Sequence, residues 1–309
     1  MRIALVTPAR PGARSGNRHT ALRWAAFLRA AGHRVAVSTE WNGAAADAML
    51  ALHARRSHAS IKAFPGPVVL ALTGTDVYHD IHHSPQARES LELADRLIVL
   101  QPKAAEEFST RKKVHVVVQS SATRMRHEPI KSNFRICVIG HLRAVKDPLL
   151  TLRALHYVPQ EIEVIQLGEL LEPGLEPETS DPRYRWLGSV PHARALKWLA
   201  SSHAMVISSR MEGGANVVCE ALRIGVPVLA SRISGNVGLL GERYAGYFKV
   251  GDERDLARLI ERAMQKSFYG RLKSQVARLR PTVAPGNEAR ALLASVASLS
   301  RSPRARRRP

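Results

Sequence analysis

The stretch SSRMEGGANVVCEALRIGVPVLASRISGNVG, Ser208–Gly238, decides the fold. The apolar run HAMVIS (His203–Ser208) leads into it, and a second apolar run, GVPVLAS (Gly225–Ser231), lies inside it. The residues between read as a helix from about Ala215 to Arg223, stopped by Gly225. Strand, helix, strand with both strands continuously apolar is the pattern of a parallel sheet covered on both faces. The first strand delivers Ser208–Met211 to the carboxyl edge of that sheet, where open parallel sheets hold their ligands. Two carboxylates, Glu212 and Glu220, flank the helix start, with Gly213 and Gly214 directly after the first. Gly213, Gly214, Ala215, Asn216 and Val217 form a first turn whose amides and dipole favour an anion. A carboxylate accepts hydrogen bonds from two adjacent hydroxyls, so Glu220 suits a ribose diol and Glu212 the hydroxyls of a second sugar. A diphosphate over residues 214–217 completes a ligand of that shape. Taken singly, Glu212 is equally a favourable charge at a helix start and Glu220 a solvated helix position; it is the combined unit that points to a ligand.

Working outward, the same alternation fills the chain. RIALVTP, HRVAVSTE, DAMLALH, PVVLALTG, DRLIVLQ and KVHVVVQS read as strands in the first half, with NRHTALRWAAFLRAAG (Asn17–Gly32) a helix between the first two. FRICVIGHL, IEVIQLGEL, RYRWLGSV, HAMVISS, GVPVLAS and YAGYFKV repeat the pattern, and DERDLARLIERAMQK (Asp252–Lys266) is an amphipathic helix. The polar, proline-containing HEPIKSN (His127–Asn133) reads as a linker. The expected architecture is α/β: a doubly wound parallel-sheet domain over 1–128, a second over 134–284, and a ligand cleft between them. A helix within 285–300 is expected to pack back across both domains, and the basic tail 301–309 to be disordered.

Composition narrows the class. The chain has 309 residues, 45% apolar, which is enough for two cored domains. No apolar run approaches the ~20 residues that cross a bilayer, and MRIALVTPARPG reads as a buried strand rather than a leader. Cys137 and Cys219 lie in apolar segments without ligand-like neighbours, so they read as reduced core thiols of a cytoplasmic protein. A net charge of +20 attracts anions of any kind. Aromatics are only 5% and no RNA-binding signature is present, which leaves a nucleic-acid-binding protein as the remote alternative. Trp24, Trp41, Trp186 and Trp198 read as core fillers beside helices. HHSP (His82–Pro85) lacks partners for a metal, TSDPR (Thr179–Arg183) reads as a loop, and no paired Asp motif stands beside a strand, so no metal and no cofactor is expected.

EGGANVVCEALRIGVPVLAS, with RISGNVGLL and YAGYFKVGDERDLARLI after it, resembles the E-x7-E region of retaining nucleotide-sugar glycosyltransferases of family 4. VIGHLRAVKDPLLTLRAL (Val138–Leu155) resembles that family's donor-phosphate element. The resemblance implies the GT-B fold, a UDP-sugar donor, and catalytic roles for Lys146, Arg143 and Glu212. His141 stands where the family has an arginine, with Arg143 two positions on. Donor contacts are implied at Gly16, Asn17, Gly140, Gly213, Gly214, Ala215, Asn216, Val217 and Glu220.

In the first half, PARPGARSGNRHTA (Pro8–Ala21) matches the family's glycine-rich first loop, and Arg10, Arg14 and Arg18 add charge to its rim. LTGTDVYHD departs from the family: Thr73 occupies a position often held by His, while Asp76 matches the family's Asp. A hydroxyl acceptor gains from a nearby base, whereas an already ionised nucleophile needs none. LALHARRSHAS brings His53, Arg55 and Arg56 to a strand end, and paired guanidiniums suit a phosphate-like dianion, although adjacent arginines are equally often a solvated loop. His53, Arg55, Arg56, Asn17, Thr73 and Asp76 are therefore the candidate acceptor residues. TPARPGARSGNRHTALRWAAFLRAAGH, LHARRS, LTGTDVYHD and GHLRAVKDPL together resemble the selenosugar synthases of selenoneine biosynthesis. That resemblance implies selenophosphate as the acceptor of a sugar from a UDP-sugar such as UDP-N-acetylglucosamine. A family 4 enzyme acting on a lipid or saccharide hydroxyl is the alternative.

Overall fold

The computed structural model describes residues 1–13, 15–74, 76–108, 113–297 and 299. Each of the twelve apolar runs forms a strand: β1 Arg2–Val6, β2 Arg34–Ser38, β3 Ala48–Leu52, β4 Val68–Leu72, β5 Arg96–Val99, β6 Val114–Val116, β7 Phe134–Ile139, β8 Ile162–Leu167, β9 Tyr184–Trp186, β10 Ala204–Ile207, β11 Val228–Ser231 and β12 Tyr247–Phe248. The helices are α1 Gly16–Ala30, α2 His58–Ala63, α3 Ile81–His83, α4 Pro85–Leu93, α5 Leu150–Ala154, α6 His192–Ala200, α7 Asn216–Ile224, α8 Ser234–Leu240, α9 Glu253–Met264, α10 Lys266–Leu279 and α11 Pro285–Ala297.

The strands form two six-stranded sheets, ordered β2-β1-β3-β4-β5-β6 and β12-β11-β10-β7-β8-β9. The strand pairs are parallel, as in β1 with β3, where Ile3 pairs Ala48, and β7 with β10, where Ile136 pairs Ala204. Strand order reverses between β1 and β3 in the first sheet and between β7 and β10 in the second. At such a switch point neighbouring loops diverge to opposite faces and leave a crevice beyond the carboxyl ends of the strands.

The inner strands of the first sheet, β1, β3, β4 and β5, are buried on both faces, which is why they read as apolar runs. Leu5, Leu50, Leu52, Val69 and Ala71 pack on one face with Trp24 and Leu28 of α1 and Leu292 and Val296 of α11. Val6, Met49, Leu70 and Leu72 pack on the other with Ile61, Phe64 and Val77. Ser15 caps α1 by accepting from Arg18 N (3.4 Å), and Gly32, at φ +86°, takes the left-handed turn that ends it. Gly225, at φ +101°, does the same after α7.

The chain divides into two compact units, whose limits differ from the expected ones. The first comprises Met1–Gln119, Gly213–Ala215 and the residues from Pro285 on; the second comprises Ser120–Glu212 and Asn216–Ala284. HEPIKSN lies within the second unit. Glu128 N donates to Ala200 O (2.9 Å), Ile130 N to Ser201 O (3.1 Å), and the His127 ring bonds Ser202 O (2.8 Å), fastening the segment to the second unit. The closing helix α11 counts with the first unit. The reason is chemical: the Glu288 carboxylate, side chain 0% exposed, accepts from Arg23 Nε (2.8 Å), Arg23 Nη2 (3.0 Å) and the Trp24 indole (2.7 Å). Of the four tryptophans only Trp24 is fully buried; Trp41, Trp186 and Trp198 are half-buried, correcting the reading of all four as core. Cys137 and Cys219 are buried free thiols, and burial pushes Cys137 up to about 12. Arg14, Thr75 and the basic tail 301–309 lie outside the described residues.

Candidate active site

In the second unit the switch point gathers the loops after β7 and β10. The loop after β7 carries Gly140, His141 and Arg143 into a 3-10 turn, Ala144–Lys146, closed by Asp147 in the left-handed region at φ +43°. The end of β10 grips that turn. Ser208 Oγ donates to Lys146 O (2.9 Å) and Asp147 O (2.8 Å), and Arg210 N donates to Val145 O (2.9 Å). The buried Asp147 carboxylate then holds Arg153 (3.0 Å) and Arg210 (2.8 Å), locking the two loops together.

This frame brings Lys146 and Glu212 into contact. Lys146 Nζ forms a short hydrogen bond to Glu212 Oε1, and Ser209 Oγ donates to the same oxygen at 2.6 Å. Glu212 is 8% exposed, while the Lys146 side chain keeps 32% of its surface in solvent. Behind them Ser231 Oγ donates to Ser209 O (2.5 Å), and Asn236 Nδ2 donates to Ser231 O (2.9 Å) and Ser231 Oγ (3.2 Å). Gly235, at the start of α8, lies so close that a Cβ there would fall 2.0 Å from the Glu212 carbonyl oxygen. Gly168, at φ +149°, is similarly tight: its Cβ would meet Gly140 O at 1.9 Å, so the floor beside Gly140 is backbone on backbone.

Arg143 is placed at the mouth of the 3-10 turn but is held by Glu172 (3.2 Å), which also accepts from Ala144 N (2.7 Å). That backbone hydrogen bond, with the Arg143 charge after it, lowers the Glu172 pKa. His141 Nδ1 accepts from Glu169 N (3.2 Å). On α7, Glu220 Oε1 lies 2.7 Å from His192 Nε2 of α6, and that hydrogen bond raises the imidazole pKa. Asn216 and Val217 open α7 half-buried, whereas Gly213 and Ala215 are buried and count with the first unit. Within the second unit, the amides of Asn216 and Val217 open the helix and lie at the positive end of its dipole.

In the first unit the switch point gathers the loops after β1 and β3. Gly16 and Asn17 lie in the first turn of α1, with Arg18 half-buried beside them and Arg10 exposed. His53 is the unexpected feature. It adopts φ +77° and is 4% exposed, with Nδ1 3.8 Å from Asp76 Oδ2 and Nε2 3.8 Å from Asp80 Oδ2. Burial lowers its pKa, against the opposing pull of Asp76. Arg55 pairs with Asp80 (3.1 Å) and is half exposed; Arg56 is exposed. Asp76 is fully buried and accepts from Ala54 N (3.0 Å), Thr73 N (3.0 Å) and Gly74 N (2.8 Å). Through these contacts Asp76, with His53 beside it, organises the loops that carry Arg55 and Arg56. Thr73 Oγ1 is buried without a hydrogen-bond partner among the described residues.

Sequence reasoning passed over Ser209, Asp147, Asp80, Gly235 and His192. Ser209 had a legible signal, the second residue past a strand end and three before Glu212. His192 had none, because it meets Glu220 across 28 residues. Among the described residues no cluster of three or more His, Cys, Asp or Glu is placed to hold a metal ion, and no helix is long and apolar enough to cross a membrane.

Residues 133–266 match the family model described as glycosyl transferases group 1. The chain is 24% identical over 276 residues to glycosyltransferase 1 domain-containing protein 1 of Xenopus tropicalis, covering 76% of this chain and 80% of that one. HepE of Anabaena, solved in complex with UDP-glucose, superposes with a TM-score of 0.74 over 98% of this chain and 100% of that one, at 15% identity. Sucrose-phosphate synthase of Thermosynechococcus elongatus superposes with a TM-score of 0.73 over 97% and 98%, also at 15% identity. The two sheets are the GT-B fold. Residues 133–266 are thus similar to group 1 glycosyl transferases, and the solved structures show the fold the chain shares with them.

Proposed function

We propose that the protein transfers a sugar from a UDP-sugar, such as UDP-N-acetylglucosamine, to selenophosphate. The observation that carries the donor half is the convergence of Lys146 and Ser209 on one carboxylate oxygen of Glu212 at the switch point of the second sheet. In this reading the selenium lone pair attacks C1 of the sugar. The bond from C1 to the diphosphate oxygen breaks, its electron pair leaves with UDP, and a carbon–selenium bond forms. Water then attacks phosphorus, the phosphorus–selenium bond breaks with its electron pair going to selenium, and a proton from the water completes the sugar selenol as phosphate leaves. The Lys146 ammonium and the first amides of α7 meet the charge that grows on the departing diphosphate, the term that dominates such reactions. Arg143 joins them on release from Glu172. Glu212 holds the hexose and Glu220 the ribose. No metal or cofactor is assigned a part.

The acceptor half rests on the first unit. Arg55 and Arg56 present guanidiniums at the carboxyl end of β3, where a phosphate-like dianion can be gripped bidentately. Thr73 provides no base, which an ionised selenium nucleophile does not require. Purified protein incubated with selenophosphate and a panel of UDP-sugars tests the reading by mass spectrometry. A seleno-glycoside formed with stoichiometric UDP supports it. UDP released only with lipid or saccharide hydroxyl acceptors overturns the acceptor half, and donors left intact in every arm overturn both halves.

A further inference from the structure

We propose that His192 is a positioning residue of the donor site, holding Glu220 through Nε2 so that the carboxylate meets a nucleotide ribose in one fixed orientation. The proposal rests on the reading of Glu220 as the ribose ligand. The Glu220 side chain is 13% exposed, so its rotamer is confined by α7, and Oε1 lies 2.7 Å from His192 Nε2. An ionised carboxylate has about four acceptor positions. One given to the imidazole leaves the rest for a diol, and the imidazole need not depart when the nucleotide binds.

Charge gives the contact a second consequence. A bare carboxylate beside a diphosphate repels it, and a protonated imidazole at hydrogen-bond distance offsets that repulsion. The hydrogen bond to Glu220 raises the imidazole pKa above its ordinary value. The other charged groups are Arg194 and Lys197 on α6 itself, Arg223 on α7, and Arg135 on β7, which is tied to Glu163 (2.9 Å). Among all of these, Glu220 is the group whose charge raises the proton affinity of His192. Nucleotide affinity should therefore fall as pH rises through the raised imidazole pKa.

The test is calorimetric titration of UDP into the full chain and into His192→Ala and His192→Gln at pH 6.5 and 8.5, with circular dichroism as the folding control. His192 is half exposed, so the variants are expected to fold. Loss of a half-exposed hydrogen bond to a charged group should weaken UDP by roughly three- to tenfold at pH 6.5. The ratio of wild-type to His192→Ala affinity should shrink at pH 8.5, where titration of the phosphate itself cancels. His192→Gln, which keeps an N–H donor, should recover affinity without recovering the pH dependence. With 2′,3′-dideoxy-UDP the effect of His192→Ala should diminish. Equal affinity of wild type and His192→Ala at both pH values overturns the proposal and leaves the donor reading standing. A wild type that binds no UDP overturns the donor reading, and this proposal with it.

Discussion

Replacing Lys146 by alanine separates the chemical role of the cluster from its structural one. The ammonium is one of two donors on Glu212 Oε1; the other, Ser209, stays. A fully buried carboxylate stripped of its partner costs about 3–5 kcal/mol, and an exposed pair is worth about 0–1 kcal/mol. Glu212 is nearly buried but Lys146 is one-third exposed, so the discounted loss lies near 1–2 kcal/mol. For a unit of this size that lowers the melting temperature by roughly 2–8 °C. The catalytic loss is of another order. Removing a preorganised charge or donor aimed at the developing anion costs about 2.7–4 kcal/mol, a hundred- to thousandfold in kcat. Initial rates of UDP release at saturating donor, run at 20 °C where the variant remains folded, read the second number, and a thermal melt reads the first. A kcat within tenfold of wild type refutes the assignment of Lys146 to the leaving diphosphate. A kcat that collapses only in step with unfolding refutes it as well.

Three further outcomes follow from the packing. Gly235→Ala drives a methyl to within 2.0 Å of the Glu212 carbonyl oxygen; it should destabilise the second unit by about 1–3 kcal/mol and depress kcat/KM, measured by urea unfolding and initial rates. Glu288→Ala strands Arg23 and the Trp24 indole and should cost about 3–5 kcal/mol, visible as a lowered urea midpoint and a changed tryptophan emission. His53 and His127 have pKa values lowered by burial. On acidification the unfolded chain takes up these protons first, so their contribution is complete above about pH 6.5 and declines below it, toward the folded-state values. The urea midpoint should fall between pH 7 and pH 5, and a midpoint that rises over that interval would contradict the burial of these rings.

The sequence made the sheets legible because strands buried on both faces are apolar without interruption, and only turn residues break the pattern. Glu212 and Lys146 were legible for a related reason, since each lies a few residues past a strand end, where parallel sheets put chemistry. The unit boundary was not legible. HEPIKSN has the composition of a linker, but its backbone amides are taken by carbonyls at the end of α6, a pairing that leaves no mark in composition. Nor was the docking of α11, where one buried carboxylate, Glu288, fixes a helix that amphipathic pattern alone leaves free to pack elsewhere. His53 shows the same limit from the other side. A histidine at a strand end reads as a ligand, and composition gives no sign of the left-handed backbone and the two aspartates that flank it.

The central claim concerns where the nucleotide is held, and calorimetric titration of UDP and UDP-N-acetylglucosamine tests it most directly. With the purified protein the account predicts one site per chain, weakened at least tenfold in a Lys146→Ala/Glu220→Gln double variant that remains folded. No heat of binding to wild type, or unchanged affinity in the double variant, would contradict it.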